Sequence, residues 1–314
     1  MFRVILIICS SILLIIILLT AIFNITLNLI LSSPNKNEEL NDETTMRSKD
    51  GKYKITYNYT FLRKKHQKIT IDSFDKKKLN AFLYQIKPDS HNYTIFVHGY
   101  RGRWQEFSNL ADSLSKYQMN FLFIEQRGHV SSPIKYTSMG IKESEDLLCW
   151  IAYLLNIDNN AKIFLVGHSM GGFTVGLTLG KNLPSNVKCA LIESSYYSIE
   201  DQYKFILKTY SKTLLKNGLV IPFVNFFARL RMKIDFKTSL KESLEKTTIP
   251  TLFIHGKKDS IVSFTNFSKI LDCFNKNTVS LTYVNDEADH ILSFYYDKNS
   301  YLKSVYSLLY NYFE

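Results

Sequence analysis

Hydrophobic and polar positions divide the chain into three unequal parts. Val4 to Phe23 is an apolar run, VILIICSSILLIIILLTAIF, broken only mildly by Cys9, Ser10, Ser11 and Thr20. Twenty helical residues at 1.5 Å rise cover roughly 30 Å, the thickness of bilayer hydrocarbon. Apolar character continues to Leu31, beyond the short core of a secretory signal. Residues 1–31 therefore read as an N-terminal transmembrane anchor, with a cleaved signal segment as the alternative. Arg3 precedes the run, whereas Glu38, Glu39, Asp42 and Glu43 follow it. Basic residues are retained inside, so the expected topology is single-pass, with the N-terminus cytoplasmic and the remainder extracytoplasmic. Residues 32–50 are polar, acidic and aperiodic, as in a linker. Such a linker is expected to decouple the anchor, leaving residues 45–314 able to fold alone.

After the linker the periodicity changes repeatedly. Segments 51–60, 69–73 and 79–86 carry β-branched and aromatic residues at strand spacing, with a hairpin turn at 75–78. Short apolar runs at 93–97 and 121–124 read as buried parallel strands, and further strands are read at 163–166, 187–192, 250–254 and 279–284. Helical spacing separates them at 105–117, 142–156, 172–181, 263–273 and 297–310. Strands alternating with helices predict an α/β fold, a mostly parallel central sheet of about eight strands flanked by helices. Residues 51–314 form one domain, with a small helical cap inserted at about 198–245.

Composition narrows the picture less than pattern does. The 314 residues include 39 Lys and Arg against 28 Asp and Glu, a formal charge of +11. The basic residues are scattered, as on a solvated surface, and no nucleic-acid motif is present. Four cysteines, Cys9, Cys149, Cys189 and Cys273, include no CxxC pair, and one lies within the apolar run. They read as free thiols, with neither a disulfide framework nor a metal site. No phosphate-binding or dinucleotide-binding glycine motif and no HExxH occurs, so no cofactor is expected.

Chemistry concentrates at Gly167-His168-Ser169-Met170-Gly171. This G-x-S-x-G sequence directly follows a predicted buried strand and opens a predicted helix, the context a sharp nucleophile turn requires. Gly167 and Gly171 keep the positions around the serine free of side chains. The helix start offers backbone N–H groups to a developing oxyanion. A serine hydroxyl needs a base, and of seven histidines only His290 lies between the last predicted strand and the last helix. The partner acid is placed at Asp259, just past strand 250–254; Glu193, Asp286 and Asp289 compete for that role. Met170 and Tyr100 are the expected backbone oxyanion donors, and His98 and Gly99 shape the second donor's loop.

Together these residues resemble the α/β-hydrolase superfamily over positions 51–314. His98-Gly99, the elbow at Ser169, the strand–Asp259 pair and the loop–His290 pair fall in that superfamily's order. Glu125-Gln126-Arg127-Gly128-His129-Val130-Ser131-Ser132 is similar to its D-x-R-G-x-G-x-S element, with Glu125 for Asp and Val130 for the second Gly. More narrowly, the chain is similar to bacterial membrane-anchored cell-surface esterases and serine-aminopeptidase-like hydrolases. The resemblance implies hydrolysis of acyl esters, on a small-molecule or lipid-like substrate, through Ser169, His290 and Asp259. A peptidase or amidase, or a catalytically silent surface binding module, are the alternatives. Apolar residues of the insertion, including Phe223, Phe226 and Phe227, form either a lid that meets lipid or simple packing onto the core. Oligomeric state is not readable from the sequence.

Overall fold

Successive side chains of the central strands enter two different cores. Ile95 and Val97 belong to one and Phe96 to the other; Leu165 and Val166, Ile192 and Leu191, Phe253 and Ile254 divide likewise. A strand covered on both faces has no polar side to present, which is why these segments read as continuous apolar runs. The computed structural model describes residues 2–31, 48, 51–129, 132–210 and 220–313. In chain order its elements are α1 (Phe2–Leu31), α2 (Tyr59–Leu62), β1 (Gln67–Asp72), β2 (Lys78–Tyr84), β3 (Asn92–Val97), α3 (Ser108–Leu114), β4 (Asn120–Glu125), α4 (Ile141–Ile157), β5 (Lys162–His168) and α5 (Met170–Leu179). There follow β6 (Val187–Glu193), α6 (Ile199–Tyr210), α7 (Val220–Met232), α8 (Lys241–Lys246), β7 (Thr251–Gly256), α9 (Thr265–Cys273), β8 (Ser280–Asn285), α10 (Ser293–Tyr296) and α11 (Lys298–Phe313).

The eight strands form one sheet in the order β1-β2-β4-β3-β5-β6-β7-β8. Only β2 runs against its neighbours, β1 and β4; every other pairing is parallel. On one face α4, α5 and α8 contribute Leu147, Trp150, Phe173 and Leu244 to the larger core. On the other, α3 and α11 contribute Leu110, Leu114, Val305 and Leu308. Because β3, β5, β6, β7 and β8 are parallel, the loops after them gather at one end of the sheet, where open α/β sheets place ligands. Between β6 and β7 the predicted cap contains α6, α7 and α8; its residues 211–219 lie outside the described residues.

Two expectations change. The segment 51–60 is not a strand, and its last residues enter the short helix α2, capped by the Asn58 side chain accepting from Phe61 N at 2.9 Å. Its alternation is nevertheless meaningful, because Tyr53, Ile55 and Tyr57 pack on Ile291 and Leu292. The apolar face meets a loop instead of a sheet edge, and Asn109 and Tyr295 hold it there through the Thr56 carbonyl, at 2.6 and 3.2 Å. Nor is α1 decoupled from the domain. Leu31, its last residue, is fully buried in the larger core and accepts a hydrogen bond from Thr137 N at 3.0 Å. Of the linker, residues 32–47 and 49–50 lie outside the described residues. The stretch Phe2–Ile22 of α1 is long and apolar enough to cross a membrane, a measure that a signal sequence also meets.

The element after β4 has a physical role in this frame. Arg127, 3% exposed, donates to both oxygens of Asp146 on α4 at 2.6 Å and to Asp75 in the β1–β2 turn at 3.1 and 3.2 Å. One guanidinium thus ties the hairpin, the sheet and α4 together by paired, planar contacts that lysine does not reproduce. Arg127→Met is expected to leave the buried Asp146 carboxylate uncompensated and to destabilise the fold by about 3–5 kcal/mol. Denaturant unfolding measures this; a loss below about 1 kcal/mol would contradict the pairing as a structural tie.

Candidate active site

The turn from β5 into α5 has no room for side chains two positions before and after Ser169. A Cβ on Gly171 would lie 1.9 Å from the Val97 carbonyl oxygen, and one on Gly167 would lie 2.3 Å from the Gly171 carbonyl oxygen. Glycine at both positions lets β3, β5 and α5 meet at backbone contact distance. Ser169 sits at the apex with φ 54° and ψ −118°, a conformation non-glycine residues adopt only where surrounding structure enforces it. Its N–H is held by the Glu193 carbonyl at 2.8 Å. The result aims Oγ out of the sheet at the start of α5, where N–H groups lack helical partners and the helix dipole is positive.

The structure brings three of the anticipated side chains into one hydrogen-bonded row. His290 Nε2 lies 2.9 Å from Ser169 Oγ, and His290 Nδ1 lies 2.8 Å from Asp259 Oδ2. Asp259 Oδ1 accepts the N–H groups of Ile261 and Val262 at 2.9 and 2.8 Å. His255, at the end of β7, approaches the other oxygen at 3.3 Å. Burial alone would raise the Asp259 pKa, but His290 and then His255 override it and hold the carboxyl well below its ordinary range. Asp259 is therefore ionised at neutral pH, as a partner for an imidazolium requires.

The other carboxylates weighed for the acid have different roles. Asp289 accepts from Ser260 N, Ser260 Oγ and His290 N, each at 2.8 Å, and so joins the two loops that carry Asp259 and His290. Asp286 is exposed and paired with Lys257 at 2.7 Å. Glu193 turns toward His168. Ile291, directly after His290, has φ 50°, and its N–H donates to Ser194 Oγ at 3.3 Å; Ser194 itself has φ 50°. Left-handed backbone at Ser169, Ser194 and Ile291 thus surrounds a single point, a concentration of strain typical of working sites.

Two buried neutral histidines brace the loop after β3. His98 Nδ1 donates to the Gly99 carbonyl at 2.8 Å, while its Nε2 accepts from Gln126 N at 3.1 Å. His129 Nδ1 donates to the Arg127 carbonyl at 2.9 Å, and its Nε2 accepts from Arg101 N at 3.0 Å. Both rings need one bare nitrogen to do this. Burial, with His129 alongside, pushes the His98 pKa down to about 3, and burial also lowers that of His129. Gly99 packs against Ser169: a Cβ there would lie 3.2 Å from Ser169 Cβ. In the same loop, Gly102 N donates to the Gly99 carbonyl at 3.0 Å. The N–H groups of Arg101 and Gly102, the two residues after Tyr100, are thus committed, and Met170 is the first residue of α5.

One cluster escaped the sequence reading. His168 lies between Glu193, 3.3 Å from its Nε2, and Glu106, 3.5 Å from its Nδ1. Tyr301 Oη donates to Glu193 Oε2 at 2.8 Å. Burial works against charge on His168, but the two carboxylates prevail and carry its pKa up to about 9. The residue beneath the serine is an imidazolium at neutral pH. Its position inside the motif and Glu193 at the end of β6 were the available signals; Glu106, in the turn before α3, carried none.

The histidine brace predicts an acid response. Since His98 stays neutral in the native state far below 6.5, the unfolded chain binds a proton there that the native chain does not. Native stability conferred by His98 is therefore present above pH 6.5 and falls as pH drops below it. Relative to His98→Gln, the wild-type advantage should shrink on acidification from pH 6.5 by up to about 1.4 kcal/mol per pH unit. Parallel denaturation curves between pH 7 and pH 5 measure it, and a constant difference would refute a buried neutral ring.

Known proteins agree with this architecture. A family model described as serine aminopeptidase, S33, matches residues 88–223. An uncharacterized protein of Bacillus subtilis, YqkD, is 24% identical over 260 residues, covering 76% of this chain and 82% of its own. A proline iminopeptidase of Saccharolobus solfataricus is 27% identical over 310 residues, covering 79% and 95%. The solved structure of the Pyrococcus furiosus esterase Pf2001 superposes with a TM-score of 0.66 at 20% identity, covering 82% of this chain and 97% of that one. The strand order, with β2 alone reversed, the tight turn at Ser169 and these likenesses together show that the chain has the α/β-hydrolase fold.

Proposed function

We propose that the protein is a serine hydrolase of carboxylic esters, with residues 51–314 as its catalytic domain and α1 as its membrane anchor. The observation that carries this reading is the row Ser169 Oγ–His290–Asp259, with contacts of 2.9 and 2.8 Å. Ser169 Oγ attacks the acyl carbon while His290 Nε2 takes its proton. The oxyanion so formed lies at the N–H of Met170, at the positive end of α5, with the N–H of Tyr100 as second donor. Asp259 remains ionised and stabilises the imidazolium. His290 then gives the proton to the departing alkoxide. Water, deprotonated in turn by His290, attacks the acyl-enzyme, and the proton returns to Ser169 as the acid leaves.

A peptidase is the second reading, supported by the matching family description and the iminopeptidase relative. Recognition of a free amino terminus calls for an unpaired carboxylate facing the site. Three acidic groups of the insertion are instead paired with lysines: Glu200 with Lys204, Asp201 with Lys269, and Glu242 with Lys246. That pairing favours esters over aminoacyl amides. With Arg3 before the anchor and acidic residues after it, the catalytic domain is placed on the extracytoplasmic side.

A fluorescent fluorophosphonate should label the detergent-solubilised wild type at one site and leave Ser169→Ala unlabelled. Folded but unlabelled wild type would refute an activated serine. Asp259→Asn should lower kcat on short acyl esters by a factor on the order of 10³–10⁴. On a matched panel, esters should turn over faster than aminoacyl amides; the reverse order would move the peptidase reading to the front.

A further inference from the structure

The cap carries an apolar face that the fold does not cover. On α7, Phe223, Phe226 and Leu230 are 36%, 62% and 69% exposed. Their spacing of three and four residues puts them within one sector of a helix. The opposite side of α7, with Ile221, Val224 and Ala228, is buried in the larger core. Two aromatic rings and a leucine on one side of a helix are more apolar surface than its own packing requires.

The position of α1 identifies what covers this face. α1 packs directly against α7, and Arg231 donates to the Asn24 side chain. Asn24 lies two residues past Ile22, where the membrane-length apolar stretch ends, a distance of about 3 Å along the helix. Arg231 therefore stands at the level where α1 leaves the hydrocarbon, next to Leu230 and about one and a half turns from Phe226. The anchor is also fixed to the domain, because Leu31 is buried in its core and bonded to Thr137. The height of α7 relative to the span is thus set by contacts on both helices.

The charges beside the apolar face match a lipid surface. Phe226 and Leu230 border a groove of about 670 Å³ that also includes Lys237, Glu200 and Arg229, whose guanidinium lies 3.7 Å from Asp235. Long basic side chains next to aromatic rings lie at the headgroup level of interfacial helices, with the rings below them. We propose that α7 lies in the headgroup region of the bilayer that α1 crosses, with Phe223, Phe226 and Leu230 dipping into the acyl-chain boundary. The partner is the lipid surface itself, with anionic headgroups at Arg229 and Lys237. This placement needs the span of α1 but not the activity of Ser169. It also puts the cap, whose Gln202 on α6 donates to the Ile261 carbonyl beside Asp259 at 2.9 Å, between the bilayer and the candidate active site.

The chain's two tryptophans, Trp104 and Trp150, are both buried, so an added one reports its own surroundings. Full-length Phe226→Trp, reconstituted in phosphatidylcholine vesicles with phosphatidylglycerol, should be quenched by lipids brominated near the headgroup end of the acyl chain. Ile12→Trp should be quenched by lipids brominated near the bilayer centre, and Tyr310→Trp on α11 by neither. Circular dichroism melts matched to the wild type establish that each variant is folded. An unquenched tryptophan at position 226 beside a quenched one at position 12 overturns the proposal. Lack of quenching at position 12 also overturns it, by removing the span. Shielding of position 226 from both brominated lipid and aqueous iodide would assign the face to a second copy of the chain instead. Fluorophosphonate labelling of the same samples keeps this result separate from the fate of the hydrolase reading.

Discussion

Backbone contact at the turn between β5 and α5 is the constraint on which the site depends. With 1.9 Å between the Val97 carbonyl oxygen and the place a Gly171 Cβ would occupy, α5 can approach β3 only as a bare chain. That approach forces Ser169 into a left-handed conformation, presents the start of α5 to the reacting position, and brings Gly99 against the serine. The remaining parts of the site are then matters of reach. β7 lies beside β6 and β8 beside β7, all parallel, so the loops after them deliver Asp259 and His290 to the same end of the sheet. Asp289 joins those loops, and the segment 53–57 closes over the His290 side.

Five buried ionisable groups around this core, His98, His129, His168, Asp259 and Arg127, are each either neutral or paired. His98 and His129 are kept neutral because each ring both donates and accepts a backbone hydrogen bond, a role an imidazolium cannot fill. His168 is charged because two carboxylates flank it, and Asp259 is charged because two imidazoles do. Arg127 is satisfied by Asp75 and Asp146 together. His98 and His129 on one side and His168 on the other thus hold different protonation states, set by neighbours contributed from separate strands and loops.

The cap and the anchor extend this arrangement outward. α7 is buried on one side, apolar and exposed on the other, and in contact with the helix whose length matches a bilayer. On the proposed reading of α1 as an anchor, its contacts through Leu31 and α7 orient the domain as well as retain it, which a polar tether alone does not do.

Much of this was legible along the chain. Continuous apolar runs marked both-face-buried strands because parallel strands between helix layers leave no polar side. The G-x-S-x-G turn marked its own backbone contact because only glycine tolerates it, and the order of Ser169, Asp259 and His290 followed from loops gathering at one sheet end. Tertiary structure decided the rest. The alternation at 53–57 was real, but its partner was the loop after His290, and period two identifies a buried face without naming what covers it. Glu106 lay far from His168 in sequence and carried no local signal. The seating of α1 depended on Leu31 and Thr137, more than a hundred residues apart, because side-chain pattern encodes local geometry while the partners of a surface are chosen only when the chain closes on itself.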